Sequence, residues 1–258
     1  MKELDTENTI LKNVSPWIWF GLPFLSLSFC CGVAIFGGAQ EYFKLVSASE
    51  SAYLEYSMPV LLLPSVLMAG WLLRHHKKFP GRWTRVLILL LFLGSLYFLG
   101  EETSWGQHYF HWETPEWIAK VSDQGETNIH NVNGIFDQFP RALLTAAAIA
   151  AFIFPFLLVP QRKKWNPRIS GLFWMWPTVV SAPAGLVAAL SGLPQKFYGK
   201  YGSWDPSIPE WFDCMFLRGQ HSELMEHFLA MFIFMYILSL TWRFRQFLTS
   251  LPLQKPVK

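Results

Sequence analysis

Three short groups of carboxylates and imidazoles stand beside apolar runs in this 258-residue sequence. Glu101, Glu102, Ser104, His108 and His111 lie in GEETSWGQHYFH, directly after VLILLLFLGSLYFL. Glu126, His130, Asn133 and Asp137 lie in GETNIHNVNGIFD, and His221, Glu223, Glu226 and His227 lie in HSELMEHFLAMF. If the helix ending near Leu99 continues, Glu101, Ser104, His108 and His111 share one stripe, with Gly106 as a possible break. Glu126, His130, Asn133 and Asp137 recur at helical spacing as well. Glu223, Glu226 and His227 fall within an arc of about 100° on a helix, whereas His221 belongs to the helix entrance.

Imidazoles and carboxylates brought together from separate helices can hold Zn²⁺ (or Fe), singly or as a two-metal pair, with a position left for water. The expected ligands are His108, His130, His221, His227 and Glu226. Glu102, Glu126, Glu223 and Ser104 are the expected catalytic groups. The same groups can serve as acid and base without a metal. HSELMEH is not HExxH, and the ExxxH spacing differs from the ExxH of di-iron bundles. Arg141 and Arg218 are cations that could pair with these acids or hold an anionic head group. The plain alternatives are that Glu101 and Glu102 mark a membrane boundary, that Trp105, Trp112 and Trp117 form an aromatic belt, and that Glu126 and His130 are a surface pair.

What must position these groups is a set of apolar segments. Only 15% of the residues are charged and 52% are hydrophobic, against about a quarter charged in soluble domains, which points to a polytopic membrane protein. A spanning helix needs about 20 apolar residues. Six windows qualify: about 16–37, 57–73, 85–102, 141–160, 171–193 and 222–242. The expected fold is an all-α bundle of six transmembrane helices in one membrane domain, 1–258. Pro177 and Pro183 should kink the fifth helix, and TPEW (Thr114 to Trp117) should start an interfacial helix with Thr114 as N-cap. The first apolar run is too long for a signal sequence and should be retained as a helix.

Fifteen of the 21 Lys and Arg, and only three of the 18 Asp and Glu, fall in the two tails and in the loops around 74–85 and 161–168. By the positive-inside rule these segments face the cytoplasm, with both termini there, and the three histidine-bearing groups face outward. His75 and His76 join the basic inner patch. The expected location is the bacterial inner (plasma) membrane, with membrane lipids as partners and no nucleic acid. Cys30, Cys31 and Cys214 have no metal-type or CxxC spacing.

EETSWGQ (Glu101 to Gln107) followed by QGETNIHN (Gln124 to Asn131) resembles a paired motif of uncharacterised bacterial multi-pass membrane proteins, which implies membrane location. Ser104 and His108 also resemble the Ser-x3-His of the alkaline ceramidase and progestin-receptor superfamily of membrane hydrolases. That resemblance implies a zinc site of His and carboxylates at one membrane face. The superfamily has seven spans and a His-x3-His, whereas this chain shows six spans and only Glu223-x3-His227 at that spacing. The leading expectation is a metal-dependent hydrolase or transferase acting on a lipid or amphiphile. A proton-coupled transporter, a haem-binding redox protein and a structural membrane protein are the alternatives.

Overall fold

The computed structural model describes residues 13–47, 52–119, 127, 134–157, 165–201, 207–217 and 221–250. Its elements are α1 (Pro16–Trp19), α2 (Gly21–Tyr42), α3 (Tyr53–Arg74), α4 (Arg82–Glu102), α5 (Gln107–Phe110), α6 (Glu116–Ala119) and α7 (Gly134–Leu157). They continue with α8 (Gly171–Met175), α9 (Ala182–Ser191), α10 (Leu193–Tyr201), α11 (Glu210–Phe216) and α12 (His221–Ser250). Among the described residues there is no strand, and six segments are long and apolar enough to cross a membrane. The chain is an all-α, multi-pass membrane protein.

The centre of the bundle is α12, which packs on α3 at one side and on α9 at the other. Its run from His227 to Ile233 is buried throughout. Leu, Met, Phe and Ala on every side of this helix suit a core position, where no face has to meet water. Outside it, α4 packs on α3, α7 on α9 and α11 on α2. The α7–α9 contact is close because its residues are small: a Cβ on Gly185 would stand 3.0 Å from the Ala148 carbonyl oxygen.

The first span runs further than its hydropathy suggests. The expected loop after Gly37 is helical as far as Ser47, with a break at Gly38 (φ 73°), a conformation that glycine adopts without steric cost. The break leaves the Ala39 N–H without its helical acceptor, and Glu210 on α11 accepts from it at 3.3 Å. Tyr42 and Val46 are then fully buried.

The fifth span is interrupted rather than kinked. Pro177 keeps the preceding Trp176 extended (ψ 130°), so α8 stops at Met175 and α9 begins at Ala182, after six intervening residues, with Pro183 in its first turn. Non-helical backbone at membrane depth must find partners in the protein. Here α12 supplies donors for two carbonyls and a partner for the Thr178 side chain. The Tyr236 hydroxyl donates to the Met175 carbonyl at 2.5 Å, Arg243 Nη1 donates to the Phe173 carbonyl at 2.9 Å, and Ser239 Oγ lies 2.9 Å from Thr178 Oγ1. Arg243 therefore differs from its expected place in a solvated tail. It is buried, with its guanidinium over the Phe173 and Trp174 rings.

The end of the bundle carrying the 74–85 loop is closed by aromatic rings. Phe79 from that loop stacks on Phe244 of α12 at 4.1 Å, with Trp174 edge-on to both. His75 and His76 have a structural part in that loop. Their Nδ1 atoms lie 2.8 Å from the carbonyls of Trp71 and Leu73, which satisfies the last turn of α3. Glu102 and the start of α12 lie at the opposite end.

Candidate functional site

Two polar loci lie near the start of α12, on different sides of it. The first is interior. His227 is completely buried, with Nε2 2.7 Å from Ser26 Oγ on α2 and Nδ1 2.8 Å from Ser57 Oγ on α3. Ser57 gives its one hydroxyl hydrogen to the Leu54 carbonyl at 3.0 Å, so it must accept from His227 Nδ1. In the neutral ring Nε2 is then the acceptor of the Ser26 hydroxyl hydrogen, which gives the Nδ1–H tautomer and a hydrogen-bond chain from Ser26 through His227 and Ser57 to Leu54.

The second locus is the end of a lateral groove of about 440 Å³. Its walls are α4 and α7, and Leu229 and Ile233 of α12 form its floor. Leu87, Leu91 and Leu144 make most of its length apolar, and Glu101, Glu102, Arg141 and Glu226 line its polar end. Arg141 forms an ion pair with Glu226. Glu102 lies within electrostatic reach of Glu226, Glu223, Glu55 and Arg141, so with Glu101 five carboxylates and the Arg141 guanidinium share this end of the bundle.

The segment after α4 closes that end. Ser104, Trp105 and Gly106 have φ of 45°, 55° and 95°. Left-handed non-glycine residues in succession are costly and persist only where the surroundings hold them. Trp105 is held: its Nε1 donates to Glu101 Oε1 at 2.8 Å and its ring lies on Gly100, where a Cβ would come within 2.8 Å of it. Further on, the Gln107 amide donates to Thr114 Oγ1 at 2.8 Å, and its oxygen accepts from Thr127 N at 2.8 Å. EETSWGQ and QGETNIHN are thus joined by a direct hydrogen bond.

This geometry corrects several expectations. The stripe of Glu101, Ser104, His108 and His111 does not form, because α4 ends at Glu102 and the left-handed turn separates Ser104 from His108. α6 begins at Glu116, one residue later than TPEW predicts, and the Thr114 hydroxyl meets Gln107 and Thr127. Glu226 and His227 do not share a site: one faces Arg141 and the groove, and the other faces Ser26 and Ser57.

Among the described residues no three His, Cys, Asp or Glu side chains come together as a metal-binding set. Both His227 nitrogens are engaged by serines, and Glu226 by arginine. Glu126 and His130 lie outside the described residues, as do the side chains of His108 and His221. Glu223 is half-buried in the first turns of α12, and Ser104 is buried in the turn after α4.

Ser26 and Ser57, which bracket His227, have no motif around them. Ser26 shares its apolar run with Ser28 and Ser57 follows Glu55 and Tyr56, and nothing in either spacing singles out a histidine partner. No protein-family model, no curated protein and no solved structure matches this chain.

Proposed function

We propose that this chain is an enzyme of the bacterial inner membrane that admits a lipid or other amphiphile sideways into the groove between α4 and α7 and acts on its head group, as a hydrolase or transferase. The observation that carries the reading is the groove itself. It is apolar along the helices and charged at one end, matching a molecule with an acyl chain and a polar head. Glu102 is the side chain placed to exchange a proton with such a head, and Arg141 the one placed to hold an anionic oxygen. The positive-inside rule puts the basic loops and both termini in the cytoplasm and the charged groove end at the outer face. A Zn²⁺ or Fe ion enters this proposal through His108, His130, His221 and Glu126.

The test uses the full chain in nanodiscs containing a lipid with a diazirine in its acyl chain. Photolabelling should concentrate on α4 and α7 and fall in Gly94→Phe, since a side chain at Gly94 projects into open space in the groove wall. Head-group turnover on bacterial lipid extract should be lost in Glu102→Gln. Even labelling over all lipid-facing helices, together with no turnover, would sink the proposal.

A proton-coupled carrier is the second reading, favoured by the buried Ser26–His227–Ser57 chain, which links α2, α12 and α3. Proton flux in proteoliposomes that disappears in His227→Gln would support it over the enzyme.

A further inference from the structure

We propose that Tyr109, Phe110 and Trp112 form an aromatic wedge that inserts into the lipid interface beside the polar end of the groove. The inference is independent of what the groove holds.

The backbone after α4 stays with the helix it has just left. Ser104, Trp105 and Gly106 take left-handed φ values in succession, and the Gly106 N–H donates to the Thr103 carbonyl at 2.8 Å. The Trp105 ring lies back along α4, against Gly100 and 6.5 Å from the Tyr97 ring. The rings that follow are seated on the same turn. A Cβ on Gly106 would stand 3.0 Å from the Trp112 ring and 3.2 Å from the Phe110 ring, so this glycine supplies both the left-handed φ and the bare seat. Phe110 and Trp112 stack at 5.9 Å with 8° between their planes. His111 between them is again left-handed, and the Gln107 amide donates to the Trp112 carbonyl at 3.2 Å.

Left-handed non-glycine residues cost free energy. What they hold in place here is aromatic surface turned outward: Phe110 is 76% exposed, Tyr109 56% and Trp112 40%. Such a patch marks a contact surface, and its place names the bilayer as the partner. Leu93 and Leu96 are exposed on the stripe of α4 that leads to Gly100, where Trp105 lies, so the patch continues a lipid-facing surface. Tyr and Trp combine an apolar body with one polar atom, which suits the depth where hydrocarbon meets head groups. The stretch from Thr103 to Ala119 contains no Lys or Arg, so the hold is apolar and owes nothing to attraction by anionic lipid. The wedge keeps the end of α4, and with it Glu101 and Glu102, at head-group depth.

The experiment is electron paramagnetic resonance on the full chain in nanodiscs, with Cys30, Cys31 and Cys214 changed to alanine and a nitroxide attached at Phe110→Cys. Leu93→Cys on α4 and Lys77→Cys in the basic loop give the lipid and water references. Access to oxygen relative to a water-soluble nickel chelate should place position 110 nearer to 93 than to 77, equally in nanodiscs with and without phosphatidylglycerol. A ratio nearer to position 77 would overturn the wedge. Low access to both reagents would show that protein covers the patch and would overturn it too, and insertion that requires phosphatidylglycerol would overturn its apolar mode. In the unsubstituted chain an apolar diazirine dissolved in the bilayer should modify residues 109–112 as it modifies α4. That arm stands even if the cysteine-free chain fails to fold, and labelling of α4 without labelling of 109–112 would again overturn the wedge.

Discussion

Glu226 and His227 are neighbours in the chain and face different parts of the bundle. The carboxylate of Glu226 meets Arg141 at the groove, and the imidazole of His227 is enclosed by Ser26 and Ser57. One step along a helix turns a side chain by about 100°, which is enough to put one residue on the groove and the next in the interior. Two local environments therefore meet on a single turn of α12.

The ion pair is partly buried, with Glu226 at 17% and Arg141 at 24% side-chain exposure. Removing one partner should cost more than removing both. Arg141→Ala is expected to lower stability by about 1–3 kcal/mol, and Glu226→Gln in that background to restore part of it. Thermal unfolding of the single and double variants in detergent checks this; strictly additive losses would mean that the two side chains do not interact.

For His227 the expected ring form is the Nδ1–H tautomer. Nitrogen-15 spectra of the ring should show Nδ1 protonated and Nε2 bare. His227→Leu removes the imidazole acceptor of Ser26 and the ring donor to Ser57 and should cost about 2–4 kcal/mol, with part recovered when Ser26 and Ser57 are also changed to alanine. A ring with the hydrogen on Nε2 instead would contradict the hydrogen-bond chain.

Arg243 supports the broken fifth span through the Phe173 carbonyl and two aromatic faces. Lysine keeps the charge but lacks the planar fork, so Arg243→Lys should destabilise by about 1–3 kcal/mol and Arg243→Met by at least as much. Denaturation midpoints of the two variants decide it. A wild-type midpoint in Arg243→Met would show that the guanidinium does not hold this backbone.

Gln107 fastens the segment after α4 to both Thr114 and Thr127. Gln107→Leu should raise the rate of limited proteolysis between residues 107 and 127 several-fold without shifting global unfolding. An unchanged cleavage pattern would mean that the clasp carries no local stability.

Much of the architecture was legible because membrane spans are written in long apolar runs. The six windows correspond to the six spans, and the EETSWGQ and QGETNIHN segments proved to be in contact. The site was legible in part. Glu102, Glu226 and Arg141 announced themselves as charges beside apolar sequence. The helical stripe through Ser104 failed because side chains, not backbone propensity, hold the left-handed turn: Trp105 needs the bare surface of Gly100 and the carboxylate of Glu101. Ser26 and Ser57 were illegible, since a serine in an apolar run looks the same whether it meets a histidine or a backbone carbonyl. Arg243 was misplaced because a cation after an apolar run ordinarily marks the water boundary.

The interrupted span between α8 and α9 bears on how the protein is made. The Met175 and Phe173 carbonyls are met by Tyr236 and Arg243, both on α12, which follows it in the chain. During synthesis the fifth span leaves the ribosome before those partners exist. Its two carbonyls therefore gain these donors only once the last span is in place.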